Sequence, residues 1–150
     1  MTYDIAVETL SAQPAAVISA RLGRDEIPAF LTGAFPEIFG HLQQRDVSIA
    51  GPPFARYGIG EHEFDVTAGF PVAGELQPSG RVKADSLPGG DVATTIHTGS
   101  YEGLPGAFHA VTEWIRANGR EIAGDPWESY LDGPEVAEPR TKVCFPLVAR

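Results

Sequence analysis

The sequence has a single cysteine and no long apolar run among its 150 residues. One cysteine, Cys144, excludes an internal disulfide and a cysteine-rich zinc site. A membrane-spanning helix needs roughly 18 or more consecutive apolar residues. The N-terminus also lacks the basic and apolar segments of a signal peptide. We therefore expect a cytoplasmic protein that does not enter a membrane.

Basic residues are scarce, since 11 Lys and Arg stand against 20 Asp and Glu, which gives a net charge of −9. A protein that binds nucleic acid needs a basic surface to displace counterions from phosphates, so we expect no direct contact with nucleic acid. The histidines show no metal-ligand spacing, and Glu61-His62-Glu63 indicates a solvated turn. We expect no metal and no cofactor.

One phrase of the sequence occurs twice. Ile-Ala-Gly-Pro-Pro-Phe-Ala-Arg-Tyr at 49–57 returns as Ile-Ala-Gly-Asp-Pro-Trp-Glu-Ser-Tyr at 122–130. The two copies are 73 residues apart (122 − 49). Two apolar stripes with the spacing of an amphipathic helix are separated by the same 73 residues. They are Leu31, Phe35, Ile38 and Leu42, and then Leu104, Phe108, Val111 and Ile115. This indicates an internal repeat of two halves, about 1–75 and 76–150, although two similar helices in an ordinary α+β domain would also explain the stripes.

Alternating apolar and polar residues predict strands at 3–9 and 64–70, and apolar, β-branched content predicts one at 15–21. With 49–58, which Pro52 and Pro53 interrupt, and four strands in the second half, eight strands are predicted. These strands are expected at about 3–9, 15–21, 49–58, 64–70, 82–86, 91–98, 122–131 and 140–147. Helices are expected over about 25–42, where Pro36 should kink or divide the helix, and over 104–118. Residues 71–81 should link the halves. The predicted fold class is α+β, a tandem ββαββ pseudo-two-fold repeat with antiparallel sheets, two main helices and a central groove.

The repeated phrase also suggests a binding site. In a strand, Glu128 and Tyr130 would share one face, while Trp127 would lie on the other. In the first copy Ala55 and Tyr57 occupy the corresponding positions, so the two tyrosines would face each other across the groove. A carboxylate among aromatic rings suits a flat, apolar cation. The alternative is that Glu128 lies on a solvated face and pairs with an arginine such as Arg56 or Arg140.

Three segments together resemble the GyrI-like (gyrase-inhibitor-like) effector-binding domains, which include the ligand-binding part of BmrR-type multidrug regulators. These segments are His97-Thr-Gly-Ser-Tyr101-Glu-Gly-Leu104, Ile122–Leu131 and Arg140–Leu147. The resemblance is clear over about 90–150 and weaker over 1–75. It implies a tandem ββαββ fold, with an acid on the penultimate strand at the bottom of an aromatic pocket. Glu128 has the matching position, and Tyr130 and Tyr101 match recurrent ones.

We therefore expect a stand-alone domain that binds bulky aromatic, cationic lipophilic small molecules, for sequestration or sensing. The expected ligand-binding residues are Glu128, Tyr130, Tyr57, Tyr101, Ala55, Trp127 and Phe54. Some members of the family are hydrolases that open cyclopropane rings of DNA-alkylating natural products. A hydrolase is the first alternative, with Glu128, Tyr101 and Tyr130 as candidate catalytic residues. The second alternative is a protein-interaction inhibitor of DNA gyrase or of a regulator.

Overall fold

The computed structural model describes residues 3–59, 63–74, 80–133 and 135–149. Glu61, His62 and the central part of the predicted linker, 75–79, lie outside the described residues. The chain divides into two compact units. Ala12–Leu87 forms the middle unit, and Met1–Ser11 together with Pro88–Arg150 forms the C-terminal unit.

Nine strands and two main helices make up the described part of the chain. In chain order the strands are β1 Ala6–Leu10, β2 Gln13–Leu22, β3 Ser48–Ile49, β4 Phe54–Ile59, β5 Phe64–Ala73, β6 Lys83–Leu87, β7 Gly90–Thr98, β8 Trp127–Tyr130 and β9 Arg140–Pro146. The helices are α1 Ile27–Gln44 and α2 Leu104–Ala117. Within the described residues, no helix combines the length and the apolar character that a membrane span requires.

The middle unit is an antiparallel sheet with α1 packed on one face. Its strand order is β4-β5-β2-β6, and the short β3 pairs with β5. Ile38 and Leu42 from the predicted stripe are fully buried, and Leu31 and Phe35 pack beside them. They meet the side chains that β2 and β5 direct to the same face, which are Ala16, Ile18, Ala68 and Val72. Burial of this stripe holds the helix on the sheet.

The C-terminal unit has the same plan, with strand order β1-β7-β9-β8 and α2 on one face. The buried side of α2 consists of Leu104, Ala107, Val111 and Ile115. It packs against Ala93, Val143, Phe145 and Leu147 from the sheet and the segment after it. The first strand of the chain therefore belongs with the second half of the sequence, because β1 pairs with β7.

The predicted α+β class, with antiparallel sheets and two main helices, is confirmed. The two units have matching strand orders, but their boundaries differ from 1–75 and 76–150 because β1 pairs with β7 and β6 pairs with β2. The repeat in the sequence and the central groove stay predictions.

Several expected elements differ from the structure. The strand expected at 49–58 is divided into β3 and β4, because Pro52 and Pro53 cannot donate backbone hydrogen bonds to a ladder. Pro36 lies inside an uninterrupted α1 and does not divide it. The strand expected at 122–131 is restricted to Trp127–Tyr130, and Ile122 makes only an isolated bridge with Leu147. The apolar pattern predicted too long a strand. An apolar residue such as Ile122 can make a single bridge to Leu147 without belonging to a continuous strand ladder.

Gly69 on β5 provides a packing test of the middle unit. A Cβ atom at this position would lie 2.7 Å from the Phe54 ring, 2.8 Å from Val17 and 2.9 Å from the Ala16 carbonyl oxygen. Gly69→Ala should lower the free energy of unfolding by about 1–3 kcal/mol, because the ring and the backbone would have to move apart. Urea denaturation measures this change.

Gly33 on α1 is the matched control, since a Cβ there would meet nothing within 4 Å. Gly33→Ala should raise stability by roughly 0.5–1 kcal/mol, as alanine is favoured over glycine inside a helix. A Gly69→Ala protein as stable as the wild type would contradict the packing described here.

Candidate functional site

The sheet register places Glu128 and Tyr130 on the face of the C-terminal unit that α2 covers. Glu128 is directly opposite Val143, and Tyr130 is directly opposite Thr141. Directly paired residues of antiparallel strands project to the same side. Val143 belongs to the core beneath α2. We call this side of the sheet the helix face of the C-terminal unit.

Ala55 and Tyr57 have the corresponding placement in the middle unit. Ala55 pairs with Ala68, and Tyr57 pairs with Val66. Ala68 contributes to the core beneath α1. The two residues therefore lie on the face of their own sheet that α1 covers, where Ala55 is fully buried and Tyr57 is partly buried.

Trp127 and Phe54, also expected to contact ligand, project to the other side of their sheets. Trp127 pairs with Cys144, and Phe54 pairs with Gly69. Both side chains are almost fully buried, at 2% and 1% exposure. Within each unit, strand alternation therefore places Trp127 and Phe54 on the opposite side of the sheet from the acid and the tyrosines.

Glu128 is buried although it is ionisable. Only 6% of its surface is exposed, so the alternative of a solvated sheet face is wrong. Arg140, one arginine that could have paired with a solvated Glu128, forms an ion pair with Asp132 at 2.8 Å. Burial of a carboxylate costs free energy unless hydrogen bonds or opposite charge compensate, so acids in such places usually have a specific role.

Tyr101 and Tyr130 form an aromatic pair beside this acid. Tyr101 opens a single 3₁₀ turn, Tyr101–Gly103, between β7 and α2. The ring centroids of the two tyrosines are 6.2 Å apart and the ring planes meet at 77°, an edge-to-face contact. Tyr101 remains 39% exposed. A partly exposed ring held against a second ring offers a stacking surface for a flat ligand.

Negative charge surrounds the Tyr101 phenol. Burial raises its pKa above the ordinary value, and the charges of Glu135, Glu128 and Asp132 raise it further. The phenol therefore stays protonated at neutral pH and can donate a hydrogen bond. Asp132 is compensated by Arg140, whose hydrogen bond lowers the pKa of that carboxyl. The same field that opposes a phenolate favours a bound cation.

Two residues of the helix face were not singled out from the sequence. His97 and Thr141 pair directly across β7 and β9, so His97, Thr141 and Tyr130 form one row over three strands. His97 is 3% exposed, and its ring nitrogens lie 2.8 Å from the Tyr3 hydroxyl and from the Ser100 carbonyl oxygen. Thr141 is fully buried, and its hydroxyl has no hydrogen-bond partner among the described residues. Only the strand register could have revealed this row.

No cluster of three or more His, Cys, Asp or Glu side chains that could hold a metal occurs among the residues the structure describes. Cys144 is buried, and burial raises the pKa of its thiol to about 12. The thiol therefore remains protonated at physiological pH and is a poor nucleophile or metal ligand. On the helix face, the residues described above offer the carboxylate of Glu128, the phenol of Tyr130 and the imidazole of His97.

The chain belongs to the GyrI-like small molecule binding domain family, whose model matches residues 3–148. The resemblance inferred from the motifs is therefore confirmed. A comparison with curated proteins found no match.

Solved structures share this fold. The C-terminal domain of EcmrR superposes with a TM-score of 0.86 at 21% identity, and each chain is covered in full. Against EcmrR in a complex with DNA, the TM-score is 0.84 at 21% identity, and the match covers 99% of this chain but 58% of that one.

Two further solved structures resemble this chain at lower sequence identity. A hydrolase from Listeria innocua has a TM-score of 0.69 at 8% identity, with 96% of this chain and 91% of that chain covered. SAV2435 bound to tetraphenylphosphonium has a TM-score of 0.62 at 9% identity, with 99% and 95% covered. At these identities the likeness shows a shared fold.

The Tyr101 phenol provides a test of the site's electrostatics. Glu128→Gln should lower the pKa of Tyr101, because one of the negative charges that oppose the phenolate is removed. The pKa should stay above the ordinary value, since burial is the largest cause of the shift and Glu135 and Asp132 remain. Phenolate absorbance during a pH titration, with the spectrum of Tyr101→Phe subtracted, measures the change.

Glu113→Gln is the matched control for this titration. Glu113 is exposed on α2 and pairs with Arg116, and it is not among the charges that act on Tyr101. Its substitution should leave the titration of Tyr101 unchanged. An equal effect of both substitutions would contradict the assignment of Glu128 to this site.

Proposed function

We propose that the helix face of the C-terminal unit binds bulky aromatic, lipophilic cations, and that the protein sequesters or senses them. The observation that carries the proposal is the burial of Glu128 beside the Tyr101–Tyr130 pair. A lipophilic cation brings apolar surface to the rings and opposite charge to the acid. Neutral ligands would supply the first interaction, and hydrated metal ions only the second.

The magnitudes favour a cation over a neutral ligand of the same shape. A cation over a tyrosine ring gains roughly 0.5–2 kcal/mol, depending on how far it is desolvated. At an effective dielectric of about 20, a unit charge about 4 Å from a carboxylate gains about 4 kcal/mol before desolvation is counted. A tenfold change in affinity corresponds to only about 1.4 kcal/mol. About a third of this attraction, if left after desolvation, is therefore enough to change the affinity tenfold.

The comparisons support a small-molecule ligand in general and are consistent with a cation. The family is defined by small-molecule binding. SAV2435, which has the same fold, is described as bound to tetraphenylphosphonium, a cation with four aromatic rings. This compound is therefore the natural first probe for the present protein.

Glu128→Gln should weaken the binding of tetraphenylphosphonium by roughly tenfold or more, since the charge is removed and the shape is kept. The tetraphenylborate anion has the same shape and the opposite charge. It should bind wild-type protein poorly and gain affinity in Glu128→Gln. Isothermal titration calorimetry measures both ligands.

Glu121→Gln, at an exposed position after α2, controls for the loss of one unit of net charge. It should change the affinity for either ion by less than twofold, since exposed charges are screened by salt. Unchanged phosphonium affinity in Glu128→Gln would defeat the electrostatic part of the proposal.

Hydrolysis of electrophilic cyclopropanes is a second candidate function, and the observation that favours it is a partly exposed phenol, Tyr101, held close to the buried carboxylate of Glu128. In this reaction Glu128 accepts a proton from water, and the water oxygen bonds to a ring carbon. The electron pair of the broken C–C bond moves to a conjugated carbonyl, whose oxygen receives the proton of Tyr101. The proton on Glu128 then restores the phenol. The hydrolase described from Listeria innocua has the same fold.

Tyr101→Phe separates the two candidate functions. It should slow the opening of a cyclopropane-conjugated dienone by roughly 100-fold or more, because the acid that protonates the carbonyl is lost. It should reduce phosphonium affinity only slightly, since the ring that stacks is retained. Chromatography of the ring-opened product measures the first effect. Product formation by wild-type protein no faster than in buffer would exclude the hydrolase.

A further inference from the structure

His97 connects the N-terminal segment to the turn that carries Tyr101. Its Nε2 atom lies 2.8 Å from the Ser100 carbonyl oxygen, and its Nδ1 atom lies 2.8 Å from the Tyr3 hydroxyl. A carbonyl oxygen can only accept a hydrogen bond, so Nε2 carries the proton. In the neutral ring Nδ1 then accepts the proton of the Tyr3 hydroxyl. The two hydrogen bonds together fix the tautomer and the orientation of the ring.

The turn is packed closely against this imidazole. A Cβ atom on Gly103 would lie 2.7 Å from Cε1 of His97, so only glycine allows the backbone to come this near. The Ser100 hydroxyl accepts a hydrogen bond from the backbone N–H of Glu102 at 3.2 Å and so caps the turn. Tyr101 and Glu102 lie between these contacts, and the Tyr101 ring meets Tyr130 edge to face.

We propose that His97 is a positioning residue of the ligand site. Its Nε2–H holds the Ser100 carbonyl oxygen, and this contact sets the Tyr101 ring against Tyr130. The expected effect of His97 on ligand affinity rests on the proposed binding function. The ring contact itself can be measured without a ligand. His97 does not need to touch the ligand to act in this way.

Two substitutions of His97 separate positioning from general stability. Glutamine places its amide nitrogen near the position of Nε2 and can still donate to Ser100. Asparagine reaches only as far as Nδ1, so it keeps a partner for Tyr3 but loses the hydrogen bond to Ser100. Nuclear Overhauser contacts between the Tyr101 and Tyr130 rings, in protein without ligand, should persist in His97→Gln and weaken in His97→Asn.

Affinity for tetraphenylphosphonium should follow the ring contact. His97→Asn should bind roughly tenfold more weakly than wild type, as expected for the loss of a buried hydrogen bond, and His97→Gln should stay within about threefold. In a Tyr101→Ala background the difference between the two should vanish, because the ring that His97 positions is gone. Merely additive losses in this double-mutant cycle would overturn the proposal.

Tyr3→Phe and Thr95→Val complete the experiment with milder changes. Tyr3→Phe keeps the bond from Nε2 to Ser100, and Thr95→Val removes a separate hydrogen bond of 2.8 Å to the Asp4 carbonyl oxygen in the same N-terminal segment. Both should keep the ring contact and the affinity close to those of wild type. If either loses them as His97→Asn does, the route through Ser100 is wrong.

The remaining outcomes also decide the question. If His97→Asn does not fold, His97→Gln is decisive: retained ring contacts support the proposal, and lost contacts overturn it. If wild-type protein does not bind the phosphonium, the proposed function fails, while the ring contacts of the ligand-free variants still test the role of His97.

Discussion

β9 is hydrogen-bonded to β7 on one side and to β8 on the other, and the register of these two ladders decides which side chains α2 covers. It brings Glu128 level with Val143 and places Tyr130 and His97 on either side of Thr141. A shift of either ladder by one residue would turn every side chain of the shifted strand to the opposite face. The acid would then leave the helix face, and the core beneath α2 would lose apolar residues such as Val143 and Phe145. The packing of the core therefore also fixes the site.

Glu128 is an ionisable residue buried in the C-terminal unit, and burial of a charged group costs free energy of folding. An ionisable side chain with 6% exposure contributes little to stability by itself. Around it the protein places phenols, and the carboxylates of Asp132 and Glu135 lie close enough to act on Tyr101. The charges of these carboxylates add to burial in raising the pKa of the Tyr101 phenol. Departures from the rules of stable packing are commonly found at functional sites.

Much of the fold could be predicted from the sequence, because helices and strands have local periods. The stripe ending in Ile38 and Leu42 and the one ending in Val111 and Ile115 both pack on sheets as expected. Pro36 did not divide α1, because burial of the apolar stripe on both sides of it outweighs a single missing hydrogen bond. The GyrI-like family was also correctly identified from the motifs. The cationic nature of the ligand, the repeat and a protein partner stay predictions.

By itself the sequence determined that Glu128 and Tyr130 share a face and that Trp127 does not, since alternation along a strand is a local property. Only the tertiary structure decided that this face is the one beneath α2, that Tyr101 meets Tyr130, and that His97 ties Tyr3 to the turn. These contacts join residues up to 94 positions apart. Such contacts depend on which strands pair and in which register, and the total burial of apolar surface selects that pairing over the whole unit rather than within any one segment.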